Sequence, residues 1–161
     1  MTRLLVWALV ALAGCAQLGP KGTLTPENFA GGNLYAVQDA IAEWNEAVPR
    51  LQLRLVPDGG DWVIRQEAMP DEPRFGHTDR VRARIRIDVR KLTEAFPRAP
   101  LEHIKSTTMH EIGHALGMRD HAPKGLMVSP HGGFTCVDAV TLAWLLEVQP
   151  ELAPGARVTC G

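Results

Sequence analysis

Apolar residues recur at helical spacing first at Leu34, Val37, Ile41, Trp44 and Val48, predicting a helix with Asn33 as its N-cap and Pro49 as its stop. The period then changes to two. Leu51, Leu53 and Leu55 alternate with polar residues and predict a first strand. Asp58-Gly-Gly-Asp61 reads as a turn into a second strand around Trp62-Val63-Ile64. A longer alternation follows, with Val81, Ala83, Ile85, Ile87 and Val89 on one face and Arg82, Arg84, Arg86, Asp88 and Arg90 on the other. It predicts an edge strand whose charges protect it from aggregation. A helix is expected from about Pro100 to Leu116. Another carries the stripe Val137, Val140, Trp144, Leu145 and Val148, opened by a capping box at Thr135-Cys-Val-Asp138 and closed by Pro150. Helices and a small sheet together give an α+β chain.

The predicted helix at 100–116 contains His110-Glu111-Ile112-Gly113-His114. Residues four apart lie on one helical face, so the two imidazoles can meet one metal ion. Glu111 stands beside them, where a base is needed to handle a water proton. A third ligand must come from chain that turns back, and Gly117 suits that reversal because glycine accepts the left-handed conformation. The next coordinating groups are Asp120 and His121. Carboxylate and imidazole bind zinc at similar distances, so chemistry alone does not choose between them.

The extended stretch His110-Glu-Ile-Gly-His114-Ala-Leu-Gly117-Met-Arg-Asp120-His121, with Leu126-Met127 after it, resembles the metzincin clan of zinc endopeptidases. The resemblance implies a metzincin-like fold: a twisted mixed sheet, an N-terminal helix, an active-site helix, a Met-turn at Met127 and a C-terminal helix. It implies one catalytic Zn2+, held by His110, His114 and a third ligand three residues after the glycine, which is Asp120. An Asp ligand followed by His is similar to the snapalysin-like branch. A matrixin-like reading instead makes His121 the third ligand. Many relatives carry a tyrosine after the Met-turn that assists the reaction, whereas this chain has only Tyr35, far upstream. The implied activity is peptide-bond hydrolysis with Glu111 as general base, on an extended substrate added to the edge strand above the zinc. The basic face of that strand would then favour acidic substrates. The alternative is a catalytically weak or inactive zinc-binding lipoprotein that recognises a protein partner. His77 is expected as an ordinary loop residue, with lining the cleft or binding a second ion as the alternatives, His103 as structural or exposed, and His131 is a minor candidate for the border of the substrate pocket.

Met1-Thr-Arg3, an apolar run from Leu4 to Ala13, and Gly14-Cys15 resemble a bacterial lipoprotein signal. The run is shorter than the roughly 20 residues of a membrane span. Residues 1–14 are read as the signal, Cys15 as the lipidated residue, 15–33 as a flexible tether and 34–161 as the catalytic domain. This places the protein in the cell envelope, anchored to the membrane through lipid. With Cys15 so assigned, Cys136 and Cys160 remain as a pair that an oxidising compartment joins in a disulfide. A net charge of −1 shows no bulk attraction to nucleic acid. The expected protein is a monomer.

Overall fold

The computed structural model of the chain describes residues 16–129 and 133–160. The signal residues 1–14, Cys15 and His131 lie outside the described residues. Among the described residues no helix is long and apolar enough to cross a membrane.

Strand β1 (Thr23–Glu27) is followed by helix α1 (Gly31–Ala47), β2 (Arg54–Leu55), β3 (Trp62–Gln66), β4 (Gly76–Asp79), β5 (Arg84–Ile87), α2 (Val89–Ala95), α3 (Pro100–Ala115) and α4 (Ala139–Val148). The five strands form one mixed sheet in the order β2-β1-β3-β5-β4, parallel except for the antiparallel β4–β5 pair. This agrees with the mixed-sheet architecture expected from the sequence.

Helix α3 packs across α1 in the core. Trp44 of α1 is fully buried, and its indole N–H donates to the Met109 carbonyl of α3 at 3.0 Å. The bond satisfies the one polar atom of a large apolar side chain. Ile64, Ile85 and Ile87 are fully buried within the same core cluster. Alternation along β5 leaves Arg84 and Arg86 out of that cluster, and Arg86 meets Glu72 at 2.7 Å and Glu67 at 3.8 Å.

Several expectations need correction. Residues 16–33 are part of the folded body and not a free tether. Leu18 and Leu24 are fully buried, and β1 lies between β2 and β3 in the sheet. Its Thr23 is pinned by Asp61, whose Oδ2 accepts from the Thr23 amide at 2.9 Å and from its hydroxyl at 2.7 Å. Pro26 is tolerated inside the sheet because β2 pairs only with Thr23 and Leu24, leaving that side of β1 open beyond them.

Helix α1 starts at Gly31 behind Ala30, not behind Asn33, whose side-chain amide donates instead to Gln66 Oε1 at 3.3 Å. The long strand over 81–90 contracts to four residues. Ala83 has a positive φ of 49°, Val81 is 77 % exposed, and Asp88 accepts from the Lys91 amide to cap α2. That strand is also interior; the edge beside it is β4. Helix α4 is capped by Asp138 and not by Thr135.

Candidate metal centre

Three segments converge at the C-terminal end of α3. The helix supplies His110 and His114 from one face, and the chain then reverses through Gly117 at φ 111°. The reversal is a Schellman ending: the Met118 amide donates to the Gly113 carbonyl and the Gly117 amide to that of His114. It returns the chain so that His121 faces the two helical histidines. Ring centroids of the three imidazoles lie 4.8, 5.2 and 5.1 Å apart, and their ligating atoms fall within 4.8 Å of one another. Counting three residues on from Gly117 points to Asp120. The structure instead brings His121 into the group, while Asp120 is exposed and does not line the cavity described below.

The helical imidazoles are oriented by backbone carbonyls. His110 Nδ1 lies 2.8 Å from the Leu126 oxygen and His114 Nδ1 2.6 Å from that of Met118. A carbonyl only accepts, so each Nδ1 carries the proton and each Nε2 keeps its lone pair. Burial holds the His114 pKa below its ordinary value, against the opposing bond to Met118. Neutral imidazole is the form that binds a metal. Three imidazole nitrogens converging at the floor of a cleft fit a zinc ion with an open fourth position.

Met127 is fully buried against Gly113 of α3. A Cβ at Gly113 would stand 2.5 Å from Met127 Sδ and 2.9 Å from Met118 Cε, so a side chain there would have to displace the ends of both methionines. The glycine lets the helix settle directly on the two methionines.

Glu111 is 6 % exposed. Burial pushes its carboxyl up to about 7, against the opposing hydrogen bond from Thr78. Thr78 of β4 donates to Glu111 Oε2 at 2.6 Å. Gly76 of the same strand lies so close that a Cβ would meet Glu111 Oε1 at 2.6 Å. Sequence reasoning missed both residues. An isolated glycine beside a strand is a signal for close backbone approach, and Phe75-Gly76-His77-Thr78 carries it. The cavity above the histidines measures about 730 Å3 and includes His77, which is therefore more than an ordinary loop residue. His103 stacks on Phe96 with centroids 3.6 Å apart, a structural role as expected. Tyr35, 67 % exposed on α1, does not line the cavity.

The fold resembles archaemetzincin. Similarity to the crystal structure of archaemetzincin from Methanopyrus kandleri covers 82 % of this chain and 97 % of that one, with a TM-score of 0.58 and 15 % sequence identity. At that identity the likeness speaks for the fold, which is the metzincin-like architecture that the motif implied. No family model matches the sequence, and no curated protein does either. The Cys136–Cys160 disulfide is formed, with Cα atoms 5.1 Å apart, and ties the C-terminal tail to the start of α4.

Proposed function

We propose that this protein is a zinc-dependent endopeptidase whose metal is held by His110, His114 and His121. The observation that carries the reading is the convergence of three imidazoles beside a buried carboxylate in a cleft bordered by an edge strand. Bound zinc supplies Lewis acidity, polarising a peptide carbonyl and acidifying water.

The remaining chemistry belongs to the side chains. Glu111, oriented by the Thr78 hydroxyl, accepts the proton of the attacking water and delivers it to the amide nitrogen as the C–N bond breaks. The open side of β4 offers backbone groups with which an extended peptide can pair. Glu111 also favours hydrolysis over a binding-only role, because a binder needs no base beside the metal.

We further propose export as a lipoprotein anchored through Cys15, working in the cell envelope on protein or peptide substrates. The formed disulfide supports an oxidising compartment. Radiolabelled palmitate incorporation that survives Cys15→Ser would overturn the anchor.

The test of the enzyme is metal content and hydrolysis of a mixed peptide pool by the full chain. Wild type is expected to hold about one zinc and to cleave. Glu111→Gln is expected to keep the zinc and lose a factor of about 100 or more in turnover. Equal turnover by that variant overturns the role of Glu111.

A further inference from the structure

Among the described residues some arginines are paired with carboxylates and others are not, Arg50, Arg54, Arg84 and Arg98 away from the cavity included. Arg65, Arg82, Arg86, Arg90 and Arg157 each lie within ion-pair distance of a carboxylate. Of the arginines on the basic face seen in the sequence around 82–90, Arg82, Arg86 and Arg90 are thus paired within the fold and Arg84 is not. Arg74, Arg80 and Arg119 line the cavity, and among the described residues none of them has a carboxylate partner. Arg74 meets His77 Nδ1 at 3.5 Å and also lies close enough to Glu72 to favour its charged form, and Arg80 donates through Nε to the Ala16 carbonyl at 3.2 Å.

Their placement follows from the fold. Arg74 lies just before β4 and Arg80 directly after it, so the two flank the edge strand at either end. Arg119 comes from the chain that reverses behind α3, on another wall of the cleft. Glu111 is the one carboxylate among the described cavity-lining residues. Glu72 and Asp79 stand nearby but are engaged by Arg86 and Arg82. A cleft with low-dielectric walls and one sign of charge concentrates ligands of the other sign.

We propose that the cleft selects peptides carrying carboxylates near the bond to be cut, and that Arg74, Arg80 and Arg119 are the residues that select them. The inference rests on the peptidase reading for the cleavage but not for the binding. Guanidinium groups recognise carboxylates through paired N–H donors. Those carboxylates come either from Asp and Glu side chains or from the C-terminus of a short substrate. The preference sits at the ends of the edge strand and not on the face of β5, where the alternation of arginines first suggested it.

The experiment uses the full chain loaded with zinc and carrying Glu111→Gln, so that ligands survive. Fluorescence anisotropy compares three labelled peptides of one length: a Glu-rich peptide with blocked ends, its Gln counterpart, and the Gln peptide with a free C-terminal carboxylate. At least one carboxylate-bearing peptide is expected to bind about tenfold more tightly than the blocked Gln peptide, the scale of one charge-assisted hydrogen bond. Which of the two gains identifies the source of the carboxylate. Adding Arg74→Gln, Arg80→Gln and Arg119→Gln together brings the ratio close to one. Equal binding of all three peptides, no binding at all, or a ratio that the triple change leaves intact overturns the proposal. Hydrolysis by the wild-type chain separates the two readings. Selective binding without cleavage would sink the peptidase and keep the selectivity, whereas cleavage of Glu and Gln peptides at equal kcat/KM, with equal binding, would do the reverse.

Discussion

Asp138 and His110 are joined through a single residue, Leu126. The Leu126 amide donates to Asp138 Oδ2 at 2.7 Å, and its carbonyl accepts from His110 Nδ1 at 2.8 Å. Asp138 is at the same time the N-cap of α4, accepting from the amides of Val140 and Thr141 and from the Thr141 hydroxyl. Gly125, at φ 86°, leaves the carboxylate its space, since a Cβ there would come within 2.4 Å of both oxygens. The helix end and the orientation of one of the three converging imidazoles therefore depend on one charge.

Replacing that carboxylate tests the dependence. Asp138→Asn is expected to cost about 2 kcal/mol of stability, the scale of hydrogen bonds to a charged group. Zinc affinity should fall about tenfold, as for other groups that orient a ligand from outside the coordination shell. Burial alone would raise the Asp138 pKa, but the bonds from Leu126, Thr141 and Val140 outweigh it and hold the pKa below the ordinary value. A depressed folded-state pKa means that the contribution is full above the unfolded value of 3.8 and is lost as pH falls through the lower folded value. Thermal melts between pH 6 and pH 3, set for instance at about one-unit steps, should show a steeper acid loss in wild type than in the variant. Parallel curves would count against the assignment.

Gly76→Ala separates the base from the metal. The added methyl would press on Glu111 Oε1 and Cγ and, at 2.8 Å, on Thr107 Cγ2. Both neighbours belong to the packed helix α3, so Glu111 must leave its bond with Thr78. Turnover is expected to fall by about 100-fold, the lower range for losing a positioned acid–base group. Zinc content should stay at the wild-type level. A variant that loses zinc along with activity would show that the strand supports the whole site and not Glu111 in particular.

The disulfide closes a loop across a separation of 24 residues. In the chain-entropy model such a link contributes about 3 kcal/mol. Inside the loop lies α4, whose cap is Asp138. Cys136→Ala with Cys160→Ala should lower stability to denaturant by that amount, read as a shift in midpoint at unchanged slope. Little change in midpoint would mean that the bond between the Thr159 amide and the Val137 carbonyl, at 3.0 Å, already secures the tail.

The parts of this structure visible in the sequence are those that depend on near neighbours. Helix α3 was legible because His110 and His114 are related by helical spacing alone, and its end because Gly117 permits a positive φ. Strand β1 was hidden because Thr-Leu-Thr-Pro-Glu has little alternation and owes its form to partners at 54–55 and 62–65. The alternation from Val81 to Arg90 promised more strand than exists, since period two does not register the turn at Ala83 or the cap at Asp88. Thr78 and Gly76 escaped notice because their meeting with Glu111 joins residues 33 and 35 positions apart, as for the Thr78–Glu111 bond at a separation of 33.

The third ligand shows the same limit at the scale of one residue. Spacing from Gly117 favoured Asp120, but which side chain turns inward depends on how the loop folds back. Here the Ala122 amide donates to the Met127 carbonyl at 2.8 Å, and Ala122 bridges to Val128. That pairing fixes the chain direction just after His121 and presents its ring to His110 and His114. Removing a ligand from a three-residue set should abolish tight binding, whereas removing a neighbour outside that set should not. His121→Ala is therefore expected to lose its zinc on dialysis, and Asp120→Ala to keep about one ion per chain with only a small change in affinity. Metal analysis of the two variants with the wild type decides the matter. Loss of zinc from Asp120→Ala alone would mean that the loop rearranges on binding and that the carboxylate, not the imidazole, completes the site.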